Sequence, residues 1–198
     1  MAGIFNMKIT LAIDTATSRT HFAILKGTDL LWQEAEDGAT THGDVLAKFG
    51  ALAARENIDQ VIVGMGPGPF TGLRTGIVFA KSFAFARGLP VHGVCSLDAI
   101  AAGINLPEFI VATDARRKEL YWAKYVNGER VETPQVTAPS EITKLSNLPI
   151  YGEGALKYSL TSDTEYLYPN LISFPMLAHV DEPMYLRHPD AVPTSERK

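Results

Sequence analysis

The sequence predicts an α/β protein of two lobes, the first of them a ribonuclease-H-like sheet covered by helices. Three observations lead to this fold. The first half of the chain has three strand-like segments followed by alternating helices and strands, in the order β-β-β-α-β-α-β. A second series of strands and helices, with a hairpin, follows residue 96. The 198 residues are 46% hydrophobic and 20% charged, a composition typical of a packed globular core.

Apolar runs bounded by turn residues indicate the elements of the first half. We expect strands over residues 8–14, 60–65 and 91–95, and a hairpin formed by 20–25 and 30–34. A helix is predicted to run to residue 55 from an N-cap at Thr41 or Asp44. A second helix is predicted over 72–87, because Gly88 and Pro90 end it.

The second half is less regular. Ser96 or Asp98 can cap a short helix, and residues 109–113 form a predicted strand. Asn127-Gly128 is a strong turn signal and predicts a hairpin of 119–126 with 130–136, in which we interpret Tyr121 and Trp122 as one buried and one exposed residue. Weaker signals after Pro139 favour a short helix at 140 and a strand at 150–151. We therefore divide the chain into a lobe of residues 1–96 and a smaller, degraded lobe of residues 97–198, a duplication inferred from element order alone.

Composition excludes several classes of protein. A net charge of −4 and a pI near 5.7 argue against non-specific nucleic-acid binding, which needs clustered lysine and arginine. The only basic run, residues 116–118, is interpreted as a solvated turn. The single cysteine, Cys95, cannot form an internal disulfide and is expected to be a buried structural thiol in a reducing compartment. No signal peptide and no membrane span are predicted, and residues 1–6 are interpreted as an irregular extension, so we expect a cytoplasmic protein.

A glycine-rich loop, residues 66–76 (GPGPFTGLRTG), links a predicted strand to the second helix. It lacks the Gly-Lys-Ser/Thr of a Walker A loop, and Pro69 stands at the third glycine position of a dinucleotide fingerprint. Gly66, Gly68 and Gly72 are therefore weak candidates for a phosphate cradle, and a rigid structural turn is an equal alternative.

Asp14 and Thr15, at the end of the first strand, are weak candidates for nucleotide binding. Sugar kinases, Hsp70 and actin hold the phosphates of Mg-nucleotide at this position, but they usually carry glycine where this chain has Ala16. A capped turn is the alternative interpretation. No two histidines have the i, i+4 spacing of a pair that binds a metal on a helix. The Gly-x-Ser-x-Gly motif of serine hydrolases is also absent. We therefore predict neither a set of catalytic residues nor a metal site.

Both helices of the first half are apolar on more than one side. This pattern is explained either by burial of the second helix beneath the second lobe or by a subunit interface. The interface hypothesis names six residues, which are Val45, Phe49, Leu52, Arg74, Val78 and Phe85.

Four segments together resemble the bacterial TsaB (YeaZ) family. They are residues 11–17 (LAIDTAT), 66–76 (GPGPFTGLRTG), 114–123 (DARRKELYWA) and 183–187 (PMYLR). The resemblance spans nearly the whole chain. The glycine-rich segment is its most specific part.

The resemblance implies a two-lobed fold of the actin/Hsp70/sugar-kinase type and a non-catalytic role in making threonylcarbamoyladenosine in tRNA. It implies a heterodimer with the transferase TsaD, a ternary complex with the ATPase TsaE, and a homodimer when the chain is alone. ATP and a metal ion are then expected on the partner subunits, and tRNA only through the complex. A small ATP-dependent phosphotransferase using Asp14 is the alternative.

The chain departs from the family pattern in two places. Pro69 stands where members commonly have serine, and residues 176–180 leave little room for the helix usual before the Tyr-Leu-Arg ending. We therefore expect a trimmed second lobe.

Overall fold

The chain forms two five-stranded sheets joined by a short helix. The computed structural model describes residues 7–38 and 41–187, so the predicted extension at residues 1–6 lies outside the described part. In chain order the elements are β1 (Ile9–Asp14), β2 (Arg19–Lys26), β3 (Asp29–Asp37), α1 (His42–Ala53), β4 (Gln60–Gly64), α2 (Phe70–Arg87), β5 (Val91–Val94), α3 (Ser96–Ala101), β6 (Glu108–Asp114), β7 (Leu120–Val126), β8 (Glu129–Arg130), β9 (Gln135–Thr137), α4 (Pro139–Leu145), β10 (Ile150–Tyr151), α5 (Glu153–Lys157) and a 3-10 helix (Leu171–Met176).

The first sheet has the strand order β3-β2-β1-β4-β5. Strands β1, β2 and β3 are antiparallel neighbours, whereas β4 and β5 run parallel to β1. Parallel neighbours need crossover connections, which α1 and α2 supply. This is the ribonuclease-H-like order that the sequence predicts.

Helices cover both faces of the first sheet. Leu11 and Ile13 point to the face that α1 and α2 cover, and both are fully buried. Ala12, between them, points to the opposite face, which α3 and the 3-10 helix cover. The period of two along β1 therefore places the core on both sides of the sheet.

The second sheet has the order β10-β6-β7-β8, with β9 also paired to β7. This sequence of strands corresponds to β4-β1-β2-β3 of the first sheet, including the parallel pair β10–β6 and the antiparallel pair β6–β7. In the described residues no strand occupies the place of β5. The smaller second lobe that the sequence predicts is thus confirmed, and the hairpin across Asn127-Gly128 forms with its second arm split into β8 and β9.

The prediction that Trp122 and Tyr121 divide into one exposed and one buried residue is wrong. They are 6% and 3% exposed. Helices lie on both faces of this sheet, because Trp122 packs with Ile142 of α4 on one side and Tyr125 packs with Leu97 of α3 on the other. A strand covered on two faces buries both of its side-chain rows.

The segment after the 3-10 helix, residues 177–187, returns to the first sheet and then reaches the second. Val180 N donates to Gly93 O at 2.8 Å, and Met184 N donates to Met65 O at 2.8 Å. Arg187 Nη1 then donates to Ala115 O, at the end of β6, at 2.8 Å. We call residues 177–187 the strap. It contains no helix, as the shortened sequence predicts. Because the strap joins both sheets, the lobe boundary at residue 96 stays a prediction.

No helix within residues 7–38 and 41–187 has the length and apolar character that crossing a membrane requires. Cys95 is fully buried, as the sequence predicts, and burial raises the pKa of its thiol to about 12.

Candidate functional site

Asp14 is sealed inside the protein at the end of β1. Its side chain is fully buried, and it accepts hydrogen bonds from Ser96 Oγ at 2.6 Å and from Ala16 N at 2.8 Å. A methyl group on Gly64 would overlap Asp14 Oδ2, so β4 leaves no space beside the carboxyl group. Burial outweighs the two hydrogen bonds and raises the pKa of Asp14 to about 6. Both oxygens therefore accept a hydrogen bond from the protein itself.

The glycine-rich loop packs against the turn that follows Asp14. A methyl group on Gly68 would lie 2.5 Å from Ala16 O, and one on Gly76 would overlap Thr15 Oγ1. Thr15 Oγ1 in turn donates to Gly72 O at 2.8 Å. The missing side chains therefore let α2 approach β1 closely. Gly66, Gly68 and Gly72 make room for the chain's own backbone, and nucleotide binding by them stays a prediction.

A cleft of about 440 Å³ opens where α1, α2 and the β6–β7 turn meet. Its walls are formed by Thr17, His42, Gly43, Pro69, Thr71, Gly72, Thr75 and Arg116. The sequence suggested Gly72 as a weak candidate and Arg116 as a residue at a strand end that could contact a ligand, whereas His42 was not a ligand-binding candidate. They come from distant parts of the chain, and the lone histidine at the start of a helix carries no local signal of its role.

His42 is nearly enclosed, with 4% of its surface exposed. Its Nδ1 lies 2.7 Å from Thr20 Oγ1, and a methyl group on Gly72 would lie 3.1 Å from Nε2. Burial, and then the positive charge of Arg116, lower the pKa of His42, so the ring is neutral at pH 7.

Arg116 reaches the cleft from a tight turn. Residues 116–118 have positive φ values of 63°, 51° and 62°, a conformation that costs non-glycine residues energy. All three are exposed, which confirms the solvated turn. Asp114, at the start of the turn, holds Lys157 Nζ at 2.6 Å and the Arg116 guanidinium at 3.9 Å.

The structure divides the six predicted interface residues into two groups. Val45 and Phe49 are 2% and 3% exposed and belong to the core beneath α1, so they offer no surface to a partner. Leu52, Val78 and Phe85 are 44%, 57% and 90% exposed, and Arg74 is exposed beside them.

Burial of α2 beneath the second lobe, one of the two explanations for its apolar character, is wrong. Leu73, Ile77 and Ala80 face the first sheet, while Val78 and Phe85 point away from it into solvent. A groove of about 490 Å³, which contains Val78 and Arg74, runs between α1 and α2. The exposed apolar surface is thus a stripe on the outside of the first lobe.

Comparison with known proteins places these features in a family. The family model for TsaD, tRNA N6-adenosine threonylcarbamoyltransferase, matches residues 45–181. An uncharacterised protein of Mycobacterium tuberculosis is 38% identical over 199 residues, which cover 92% of this chain and 93% of that protein. The tRNA threonylcarbamoyladenosine biosynthesis protein TsaB of Escherichia coli is 34% identical over 137 residues, 60% of this chain and 55% of that protein.

The solved structure of YeaZ from Pseudomonas aeruginosa has the same fold. It superposes with a TM-score of 0.65 at 25% sequence identity, over 83% of this chain and 88% of that one. Strand order, sequence relatives and the family model agree, and the chain belongs to the TsaB (YeaZ) family.

Proposed function

We propose that the protein takes part in forming N6-threonylcarbamoyladenosine in tRNA as the non-catalytic partner of a TsaD-type transferase. In this role TsaD carries out the transfer, ATP and the metal ion belong to the partner subunits, and TsaE completes a ternary complex. The chain contacts tRNA only through the complex and forms a homodimer when TsaD is missing. Family membership supports a part in threonylcarbamoyladenosine formation, and the geometry of the first lobe supports the role of a pairing subunit.

The observation that carries the proposal is the exposed apolar stripe on α2, beside the groove between α1 and α2. Phe85, at 90% exposure, and Val78, at 57%, are large apolar side chains on one helix, next to the groove between the two helices. Leu52, on α1, is also exposed, but it lines a different groove, with Leu31 and Trp32 of β3. An apolar patch of this kind on a charged protein indicates a surface that another protein covers.

The burial of Asp14 argues against the alternative, an ATP-dependent phosphotransferase. Its carboxylate would have to release Ser96 and leave its enclosure before it could reach a Mg-nucleotide. Calorimetry with Mg-ATP on the isolated chain tests this. Turnover of ATP without a partner would support the phosphotransferase and contradict the proposed role.

Pairing is tested by co-expressing the chain with the TsaD-type transferase of the same organism. We expect Val78→Asp to remove the heterodimer peak in size-exclusion chromatography with light scattering, because it places a charge on the covered stripe. The matched control is Leu145→Asp, since Leu145 is an equally apolar, 69% exposed residue on α4 in the second lobe.

Both variants are expected to keep the melting temperature of the wild type within a few degrees, because surface substitutions cost little stability. A heterodimer that tolerates Val78→Asp but not Leu145→Asp would place the partner on the second lobe and refute the assignment.

A further inference from the structure

The strap begins its course along β5, the last strand in the order of the first sheet. Val94 and His179 form an isolated antiparallel bridge, and Val180 N donates to Gly93 O at 2.8 Å. A methyl group on Gly93 would overlap Val180 O, so the strap lies directly against the strand. An isolated bridge is weaker than a continuous ladder of hydrogen bonds, and side-chain contacts therefore contribute to the hold on this part of the strap.

Two histidines make a side-chain contact at this point. The rings of His92, on β5, and His179, on the strap, stack with their centroids 4.3 Å apart and their planes inclined by 20°. His179 is exposed and His92 is half-buried, so both rings can exchange protons with the solvent. The contact between strand and strap therefore depends on the charge of the two rings.

The groups around the pair favour a neutral His92. Burial lowers the pKa of His92, and the positive charges of His179 and of Lys8, which precedes β1, lower it further. Neither β4 nor the 3-10 helix, which border this part of the sheet, carries a charged side chain. Asp181 and Glu182 follow on the strap, and within residues 7–38 and 41–187 neither forms an ion pair with the two rings. At pH 7 His92 is therefore neutral and the stacked rings do not repel each other.

Protonation of both rings reverses this interaction. A first proton is tolerated, because a cation can lie over a neutral aromatic ring. A second proton places two positive charges on rings whose centroids are 4.3 Å apart, and like charges at that distance repel each other even near a protein surface. Movement of the exposed His179 into water relieves the repulsion, and it takes the bridged part of the strap away from β5.

We propose that His92 and His179 form a pH-sensitive latch, which holds the strap on β5 while His92 is neutral and releases it when both rings are protonated. The latch is independent of the proposed function. Its effect reaches the second sheet, because the strap continues to Arg187, which donates to Ala115 O at 2.8 Å. Release of the first part of the strap thus weakens a link between the two lobes.

The test measures amide hydrogen exchange in the full chain at pH 7.5, 6.5, 5.5 and 5.0, with the rates converted to protection factors so that the intrinsic pH dependence of exchange is removed. The protection factor of Val180, whose N–H is bonded to Gly93 O, is expected to fall about tenfold from pH 7.5 to pH 5.0. Met65 N, bonded to Val94 O at 2.8 Å in the same sheet, is the internal control. Its protection is expected to stay constant, which separates local release from global unfolding.

Two substitutions test the chemistry of the latch. His179→Gln keeps a planar polar side chain that cannot become charged, so the protection factor of Val180 should no longer depend on pH. Lys8→Gln removes a charge that lowers the pKa of His92, so release should occur at higher pH. The matched control is Lys81→Gln, which removes the charge of an exposed lysine on α2 and should leave the pH of release unchanged.

A protection factor at Val180 that stays constant with pH in the wild type would overturn the inference. The same conclusion would follow from an equal loss of protection at Met65, or from a pH dependence in His179→Gln as large as that of the wild type. A lower but pH-independent protection factor in His179→Gln would support the latch, because this variant loses the stack together with its charge.

Discussion

The two lobes place an aspartate at the same position and give it opposite surroundings. Asp14 ends β1 and Asp114 ends β6, and each accepts a hydrogen bond from the N–H two residues later, at 2.8 Å and 3.1 Å. Asp14 meets only neutral groups, chiefly the Ser96 hydroxyl, whereas Asp114 meets the Lys157 ammonium at 2.6 Å. The backbone position is therefore common to the two sheets, and the neighbouring helix decides whether the carboxylate has a counter-charge.

This difference also divides the functional surfaces. The first lobe closes its strand end completely with the glycine-rich loop and α3, and it exposes Val78 and Phe85 on the outer side of α2. The second lobe leaves its strand end partly open, so that the turn after Asp114 carries Arg116 into the cleft.

The largest expected effect comes from closing the space beside each aspartate. Gly64→Ala would push a methyl group into Asp14 Oδ2, and Gly154→Ala would place one 2.5 Å from the Thr113 carbonyl carbon and 2.7 Å from Asp114 N. We expect each to lower the free energy of unfolding by about 3 kcal/mol in urea titrations, as overpacked sites do.

The stability cost of the two glycine substitutions should respond differently when the neighbouring aspartate is replaced by alanine. Asp14→Ala removes the atom that Gly64→Ala overlaps, so in that background the second change should have lost most of its cost. Truncating the Asp114 side chain cannot relieve Gly154→Ala, because the overlap there is with the backbone of Thr113 and Asp114 and with the Leu120 side chain. Gly43→Ala is the control, since a methyl group there meets nothing within 4 Å. If the interaction energy between the glycine and the aspartate substitution were equal at the two sites, the cost of Gly64→Ala would come from the backbone and not from the Asp14 side chain.

The charge states of the two aspartates predict opposite responses to amide substitution. The pKa of Asp14 is raised from 3.8 to about 6, so between these values the folded protein holds a proton that the unfolded chain has lost, and stability falls as pH rises through this window. The loss is about 3 kcal/mol above pH 6. Asp14→Asn cannot ionise and so avoids this loss. We expect its free energy of unfolding, relative to that of the wild type, to increase by up to that amount between pH 4 and pH 7.5.

Asp114→Asn should instead lose about 1 kcal/mol at pH 7.5, because it breaks the partly exposed pair with Lys157. Urea titrations at pH 4, 5, 6 and 7.5 measure both variants. The pKa of His21 is lowered by burial to about 3, which makes stability rise with pH in the same range, but His21 is present in every protein compared and cancels from the differences. A constant difference between Asp14→Asn and wild type across the range would contradict the burial of a titrating carboxyl group.

The sequence predicted what local patterns determine. The strands of the first sheet fall within three residues of their predicted ends, because apolar runs and turn residues define them locally. On α2, Leu73, Ile77, Ala80 and Ala84 recur at helical spacing and are all buried, so this local pattern alone identifies the inner face of the helix. The same spacing on α1 joins Val45, Phe49 and Ala53, and it would have separated these core residues from the exposed Leu52.

What the sequence could not predict depends on contacts between distant segments. Trp122 is buried because α4 and α5 cover a sheet face that an isolated hairpin would leave to solvent. His42 and Arg116 are 74 positions apart and line one cleft only because the start of α1 and the β6–β7 turn converge there. Asp14 looked like a ligand for Mg-nucleotide, since nothing in its neighbourhood along the chain indicates that Ser96 and Gly64 enclose it.

The smallest expected effect concerns the strap, which links the lobes through Arg187. This side chain bonds Ala115 O at 2.8 Å and forms an ion pair with Glu119, so it fixes both ends of the turn that carries Arg116. We expect Arg187→Ala to lower stability by only about 1 kcal/mol, since the group is partly exposed. Its main effect should be local: the amide proton of Glu119, bonded to Arg116 O, should exchange several-fold faster with deuterium, while that of Ala16 in the first lobe keeps its rate.

Arg187→Lys keeps the charge near Glu119 but loses the planar donor to Ala115 O, so its exchange rate should lie between those of the wild type and Arg187→Ala. An unchanged rate at Glu119 in both variants would show that the turn holds its strained conformation without the strap. The turn at the strand end of the second lobe would then need no contact from another segment, like the closed strand end of the first lobe. Arg116 would be held at the cleft by the hydrogen bonds of the turn itself.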